Sequence, residues 1–197
     1  ALRTELGIDS VKMGLVFSAF AWTYAALQIP GGVVVDLIRP RLLYTILLAF
    51  WSLATFLQGT AQNVLALIGC RMGIGTFQAP SYPCHNRMVT AWFPVNERAF
   101  AIAFYTSGQF LGLALATPLL MMLQQGIGWR GMLMMVGGVG IVWAIVWYVW
   151  YRDPLDHRGA TSAELDHIAQ GGGLVDGGRS GSGQASVRWG DLKHAFC

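Results

Sequence analysis

The sequence predicts an all-α membrane protein with five membrane-spanning helices, and three observations carry that expectation. Apolar residues make up 54% of the chain and charged residues only 12%, where a soluble domain carries about a quarter charged residues. The charges are unevenly placed: between Met13 and Tyr151 they are Asp36, Arg39, Arg41, Arg71, Arg87, Glu97, Arg98 and Arg130 alone. The apolar runs between them have the length of a bilayer crossing, about 20 residues. The net charge of +3 therefore describes an apolar body with a polar tail, not a nucleic-acid-binding surface.

The first span is expected at 13–35, a run without charge. The second is expected at 42–58 and closes on Gln58-Gly59-Thr60-Ala61-Gln62-Asn63, a cluster of turn formers. A third, 64–91, contains Arg71, Pro80 and Pro83. The prolines cannot donate to the helical ladder, so a kink is expected there. The fourth, 99–123, closes on Gln124-Gln125-Gly126, and the fifth, 132–151, ends in Trp143, Trp147, Tyr148, Trp150 and Tyr151, the composition of an interfacial belt. Residues 1–12 are expected outside the membrane and 152–197 form a polar segment. In that segment Ser162 is a candidate N-cap, and the glycines of 171–173 and 177–183 have flexible-linker composition. Gly108 and Gly112, and Gly137, Gly138 and Gly140, are read as close helix packing.

Basic residues set the orientation. Arg39 and Arg41, Arg87 and Arg98, and Arg152 and Arg158 fall on one side, which by the positive-inside tendency is cytoplasmic, while Arg3, Lys12 and Arg130 fall on the other. The start of the chain is then outside, and a cytoplasmic start requires one more helix ahead of Ala1. A chain incomplete at both ends is the expectation.

Arg71 is the strongest candidate for chemistry, since an arginine at a helix centre costs roughly 2.5–3.5 kcal/mol on insertion scales and must face a bundle interior or a wet cavity. Arg71, Gly75, Gln78, Tyr82 and His85 recur at helical spacing and share one face. Tyr24 and Gln28 on the first span, and Ser107 and Gln109 on the fourth, add polar groups at middle depth. An interhelical hydrogen bond explains any one of these pairs; together they suit a hydroxylated, anionic solute. Cys70, Cys84 and Cys197 show no metal-ligand spacing. No nucleophile or carboxylate cluster is present to support an enzyme, and neither a metal nor a cofactor is expected.

The loop Gly32-Val33-Val34-Val35-Asp36-Leu37-Ile38-Arg39-Pro40-Arg41 resembles the G-x-L-x-D-R-x-G-R-R loop of the major facilitator superfamily, with Gly32, Asp36 and Arg41 matching. Leu37, Arg39 and Pro40 depart from it. Arg71 with Gly75 is similar to that superfamily's fourth-helix R-x-x-x-G element. Met13–Trp22, Gln28–Gly32, Asn86–Pro94 and Phe104–Phe110 resemble the anion:cation symporter family. Ala163–Ile168 with Gly171–Gly177 is similar to the bacterial D-galactonate and glucarate transporters. The resemblance implies helices two to six of a twelve-helix, monomeric inner-membrane transporter moving a sugar acid by alternating access. It implies that Tyr24, Arg71, Gln78 and Gln109 meet substrate, and that Gly32, Asp36, Arg41 and Arg87 take part in gating. It also implies proton coupling, and here this sequence departs: Gln78 stands where the galactonate transporters carry a proton-coupling glutamate. An amide can hydrogen-bond a hydroxyl but cannot titrate. A membrane sensor or assembly subunit that retains the fold without transporting is the alternative, and binding without flux in proteoliposomes distinguishes it. If Gln78 replaces a proton acceptor, Gln78→Glu in the complete protein should steepen the pH dependence of uptake; an unchanged profile contradicts that account.

Overall fold

The computed structural model describes residues 7–175, and among them every regular element is helical. Arg3 and the glycine-rich stretch at 177–183 lie outside the described residues. Helix α1 is Ser10–Leu37, α2 is Pro40–Thr60, α3 is Val64–Gln78, α4 is Ser81–Trp92 and α5 is Val95–Trp150. A 3-10 turn, Pro154–Asp156, and a short helix α6, Ser162–Gln170, follow.

Three of these, α1, α2 and α5, are long and apolar enough to cross a membrane. Helix α5 is two antiparallel arms, 95–127 (α5a) and 129–150 (α5b), because Gly128 interrupts it at φ 72°, ψ 171°. Only glycine reaches that conformation without strain. The chain therefore reverses at Gly128, and the helix runs on through Gln124-Gln125-Gly126, where the sequence suggested a turn. The reason is that glutamine is a good helix former; glutamine and Gly126 do not by themselves break a ladder.

The 64–91 segment is two helices. Ala79 and Pro80 separate α3, of 15 residues, from α4, of 12. Pro80 and Pro83, three residues apart, each lack a backbone donor, and the ladder resumes where Cys84 N–H reaches the Pro80 carbonyl at 3.0 Å. Caps mark the other starts. Asp9 accepts from Lys12 N–H and Asn63 from Ala66 N–H, each at 2.8 Å. At α6 the cap is Thr161, accepting from Glu164 N–H at 3.3 Å, one residue before the candidate Ser162.

The bundle has two ends. At one, Ile8, Val16, Ala61 and Leu67 form a small core. Toward the other, Val35, Leu43, Leu47, Cys84 and Met88 pack with Tyr44, Trp147 and Tyr151. The terminal aromatics of α5b thus divide: Trp147 and Tyr151 turn inward, while Trp143 and Trp150 stay exposed. Arginines sit at the carbonyl ends of helices, where the last C=O groups lack helical partners and the macrodipole is negative. Arg130 donates to Gly59 and Ala61 carbonyls at 3.2 and 2.7 Å, closing α2. Arg41 donates twice to the Tyr148 carbonyl, at 3.1 and 2.6 Å, tying the start of α2 to the end of α5b. Arg98 donates to the Phe93 carbonyl at 3.2 Å and to the Gly172 carbonyl at 2.6 Å. The latter bond, with Val95 N–H donating to the Gly171 carbonyl at 2.8 Å, straps the segment after α6 across the α4–α5 turn.

Glycines set the helix separations. A Cβ on Gly75 would overlap Thr23 Oγ1 and lie 2.7 Å from the Phe20 carbonyl oxygen, so α1 and α3 touch backbone to backbone. Gly137 meets the Phe56 backbone and Gly140 meets Ser52, which seats α5b against α2. Gly108 and Gly112, read as a packing pair, have nothing within 4 Å, and neither does Gly138. Gly75→Ala should therefore destabilise by roughly 1–3 kcal/mol, the usual cost of overpacking. Gly108→Ala should be neutral or slightly stabilising through helix propensity. Thermal unfolding in detergent checks both, and equal midpoints for the two variants would contradict the assigned contacts.

Candidate functional site

The crossing at Gly75 positions the site. One turn further along α3 is Gln78, and across the contact on α1 are Phe20 and Tyr24. These residues begin the wall of an open cavity of about 720 Å³. Tyr44 and Trp51 of α2, Ser81, Tyr82, His85, Met88 and Val89 of α4, Tyr105 and Gln109 of α5a, and Trp147 of α5b complete its lining. Every helix of the bundle except α6 contributes. The volume lies in the range of small-molecule sites, roughly 300–1,000 Å³, and the wall is mostly aromatic with a few polar groups.

Those polar groups are held in place. Tyr82 Oη donates to Gln109 Oε1 at 2.9 Å, which leaves the Gln109 amide N–H groups as the donors available to the cavity. Tyr105 Oη donates to Asn86 Oδ1 at 3.2 Å. His85 stands between the rings of Tyr44 and Tyr105, with centroids 4.8 and 5.8 Å away, and Tyr44 meets Trp147 edge to face at 5.0 Å. Phe20 stacks on Tyr24 at 5.5 Å. Aromatic faces with a small set of amide and hydroxyl groups can bind a compact, polyhydroxylated molecule by ring stacking and hydrogen bonding.

The structure brings Tyr24, Gln78 and Gln109 to one cavity. Arg71 does not line it. Its guanidinium lies 5.4 Å over the Phe17 ring, on the α1–α3 interface two turns from Gln78. Its Nε is buried without a hydrogen-bond partner. Of the expected stripe, Gln78, Tyr82 and His85 remain together on the cavity despite the break at Pro80, and Arg71 marks its far end. Gln28 and Ser107 are not on the wall.

Asp36, Arg41 and Arg87 gather at the arginine-rich end. Arg87 Nη1 meets Asp36 Oδ1 at 2.6 Å, joining α1 to α4; the Arg87 side chain is largely buried and the Asp36 carboxylate exposed. Arg41 lies 4.4 Å over the Tyr148 ring. Arg39, at a position where the sequence departs from the loop pattern, pairs with Asp156 at 3.7 Å. Gly32 has nothing within 4 Å; it is Gly31 that packs on Pro80, where an added Cβ would lie 2.9 Å from the ring. In the loop after α5b, burial first and then the neighbouring Asp156 hold the Asp153 carboxyl above its ordinary value, opposed by Arg39 and Arg41.

Sequence reasoning missed the aromatic wall: Phe20, Tyr44, Trp51, Tyr105 and Trp147. For Tyr105 a signal existed, since it precedes Gln109 by one helical turn. For the others none did, because an aromatic residue in a membrane helix faces lipid, core or cavity with the same local spacing.

Apolar helices of membrane-crossing length around a mostly aromatic cavity with a few amide and hydroxyl groups define the class, an α-helical membrane protein. The chain belongs to the Major Facilitator Superfamily, whose family model matches residues 1–195. It is 49% identical to the D-galactonate transporter of Escherichia coli O6:H1 (strain CFT073) over 89% of this chain and 41% of that protein. It is 36% identical to a protein of Bacillus subtilis (strain 168) named "Probable galactarate/D-glucarate transporter GudP", over 89% of this chain and 40% of that protein. The chain thus spans about two fifths of the length of the curated relatives it matches. Among solved structures, the inward-facing, occupied form of a bacterial homolog of the human lysosomal transporter Spinster superposes with a TM-score of 0.65. That match has 24% identity and covers 82% of this chain and 40% of the other, which establishes the shared fold.

Because Tyr82 orients Gln109, Tyr82→Phe should raise the KM of any uptake that the complete protein supports roughly two- to tenfold, the worth of one hydrogen bond. Membrane levels should stay unchanged, and an unaltered KM would show that the pair does not position the amide.

Proposed function

We propose that this chain is the greater part of one half of a secondary active transporter that moves a small hydroxylated organic anion across the bacterial inner membrane. A sugar acid such as galactonate or glucarate is the substrate class. The observation that carries this reading is the convergence of Tyr24, Gln78 and Gln109, from three separate helices, on one cavity. Amide and hydroxyl groups match the hydroxyls of an aldonate or aldarate, and the aromatic faces match the C–H faces of its carbon chain. The sugar-acid names of the relatives above support the same class.

Arg71 serves as the anion partner. A half-buried guanidinium with no acceptor for its Nε is costly unless a carboxylate joins it during the transport cycle. Gly32, Asp36, Arg41 and Arg87 belong to the gating end, where the Asp36–Arg87 pair joins two helices that must shift during alternating access. The arginine-rich end is cytoplasmic by the positive-inside tendency, and the transporter works as a monomer. The coupling ion is a proton, carried by a group outside this chain or by a modified route, since Gln78 cannot titrate. That same amide favours the second reading, a sensor that binds without flux.

A panel of aldonates, aldarates and hexuronates tested for uptake by the complete transporter decides the class. Arg71→Ala should abolish uptake of the preferred sugar acid at normal surface levels. Normal uptake by that variant removes Arg71 from the substrate path; binding without accumulation of any panel member supports the sensor reading.

A further inference from the structure

Two adjoining cavities lie at the arginine-rich end of α5b, away from the central cavity's polar wall. One, of about 430 Å³, is aromatic and apolar, with Trp143, Val146 and Trp147 among its lining residues. The other, of about 380 Å³, is polar and includes Arg152, Asp156 and Arg158. Trp150 and His157 line both, so the two form one groove with an apolar and a charged part. The apolar part lies on an outward face: Trp150 is 80% and Trp143 54% exposed.

The charged part has unused donors. Arg158 has no hydrogen-bond or ion-pair partner among the described residues. Arg152 uses only Nη1, donating to the Tyr148 and Tyr151 carbonyls at 3.0 Å each. Asp156, the acidic member, is already paired with Arg39. His157 Nδ1 accepts from Gly159 N–H at 3.2 Å, so in the neutral ring the proton sits on Nε2, a donor. The ring itself is held edge to face on Trp92 at 5.4 Å.

We propose that this groove binds an anionic phospholipid, with the headgroup phosphate on Arg152, Arg158 and His157 and an acyl chain along Trp143 and Trp150. Guanidinium groups recognise phosphate, and indoles favour the boundary between hydrocarbon and headgroup. A free phosphate would leave the aromatic part unused, and a zwitterionic lipid, though it carries the same phosphate, would also bring a choline cation toward Arg152 and Arg158. Basic pockets beside membrane helices are suited to anionic headgroups, and each basic residue near the surface favours an anionic lipid by roughly fivefold. The site is separate from the substrate cavity's hydrogen-bonding groups and does not depend on which solute is carried.

The test reconstitutes the full chain in phosphatidylcholine nanodiscs carrying brominated phosphatidylglycerol or, in parallel, brominated phosphatidylcholine at equal fractions, and reads tryptophan quenching. Quenching by the anionic lipid should reach half its maximum at a roughly 25-fold lower mole fraction, about fivefold for each arginine. Arg158→Gln should reduce that preference roughly fivefold, Arg158→Lys should keep it, and Arg152→Gln/Arg158→Gln should remove it. The Trp143→Phe/Trp150→Phe variant should lose most of the anion-selective quenching, with far-UV circular dichroism confirming that each variant retains its helix content. Equal quenching by the two lipids overturns the proposal, as does a preference that survives the double arginine variant. Competition by millimolar soluble glycerol phosphate would show a headgroup-only site and overturn the acyl-chain assignment.

Discussion

The contact between α1 and α3 at Gly75 is the constraint on which the rest of the bundle depends. With no side chain at that position, the α3 backbone lies against Thr23 and Phe20. Membrane helices gain little by excluding lipid from one another, and close backbone approach supplies van der Waals packing instead. The same approach brings Tyr24 opposite Gln78, so the residue that sets helix separation also sets the width of the cavity. Gly31 against Pro80 repeats the arrangement beside the break. There the proline that divides the segment into α3 and α4 also fills the space that a glycine leaves on α1.

The second constraint is electrostatic. The arginines at the two ends of the bundle are engaged largely by helix carbonyls: Arg130 on α2, Arg98 on the α4–α5 turn, Arg41 and Arg152 on α5b. A guanidinium at such an end satisfies orphan acceptors and opposes the helix dipole together. Inside the bundle the same residue type has no such outlet. Arg71 faces the Phe17 ring and no carboxylate among the described residues, and its Nε is buried without a hydrogen-bond partner. The cavity's amides and hydroxyls are arranged differently, in pairs such as Tyr82 with Gln109, where one group consumes an acceptor and leaves donors facing inward.

Much of this was legible from composition and spacing. A chain with so few charges must bury its backbone polar groups in helices when it enters lipid, and the stripe Gln78, Tyr82, His85 announced a polar face. What failed to show was local geometry whose cause is not local. Two prolines three residues apart predict a kink, but not that α3 and α4 remain aligned enough to keep their stripe on one cavity. Gln124-Gln125-Gly126 looked like the end of a helix, yet the reversal falls at Gly128, because only one of several glycines needs to adopt a positive φ and spacing does not say which. Gly108 and Gly112, four residues apart, and the cluster Gly137, Gly138 and Gly140 both suggest close packing, and only Gly137 and Gly140 meet a neighbour.

Composition and spacing alone were enough for the all-helical membrane class, the clustering of arginines at one end and the polar residues on the helices, because these follow from the cost of charge and unpaired backbone in hydrocarbon. Only the tertiary structure decided which of those residues act together. Tyr24, Gln78 and Gln109 are far apart in the chain and share a cavity, whereas Arg71, on the same stripe as Gln78, stands outside it. The reason is that a stripe fixes direction around one helix, while a cavity is a property of how several helices cross, and the crossing is set by glycine contacts between segments distant in sequence.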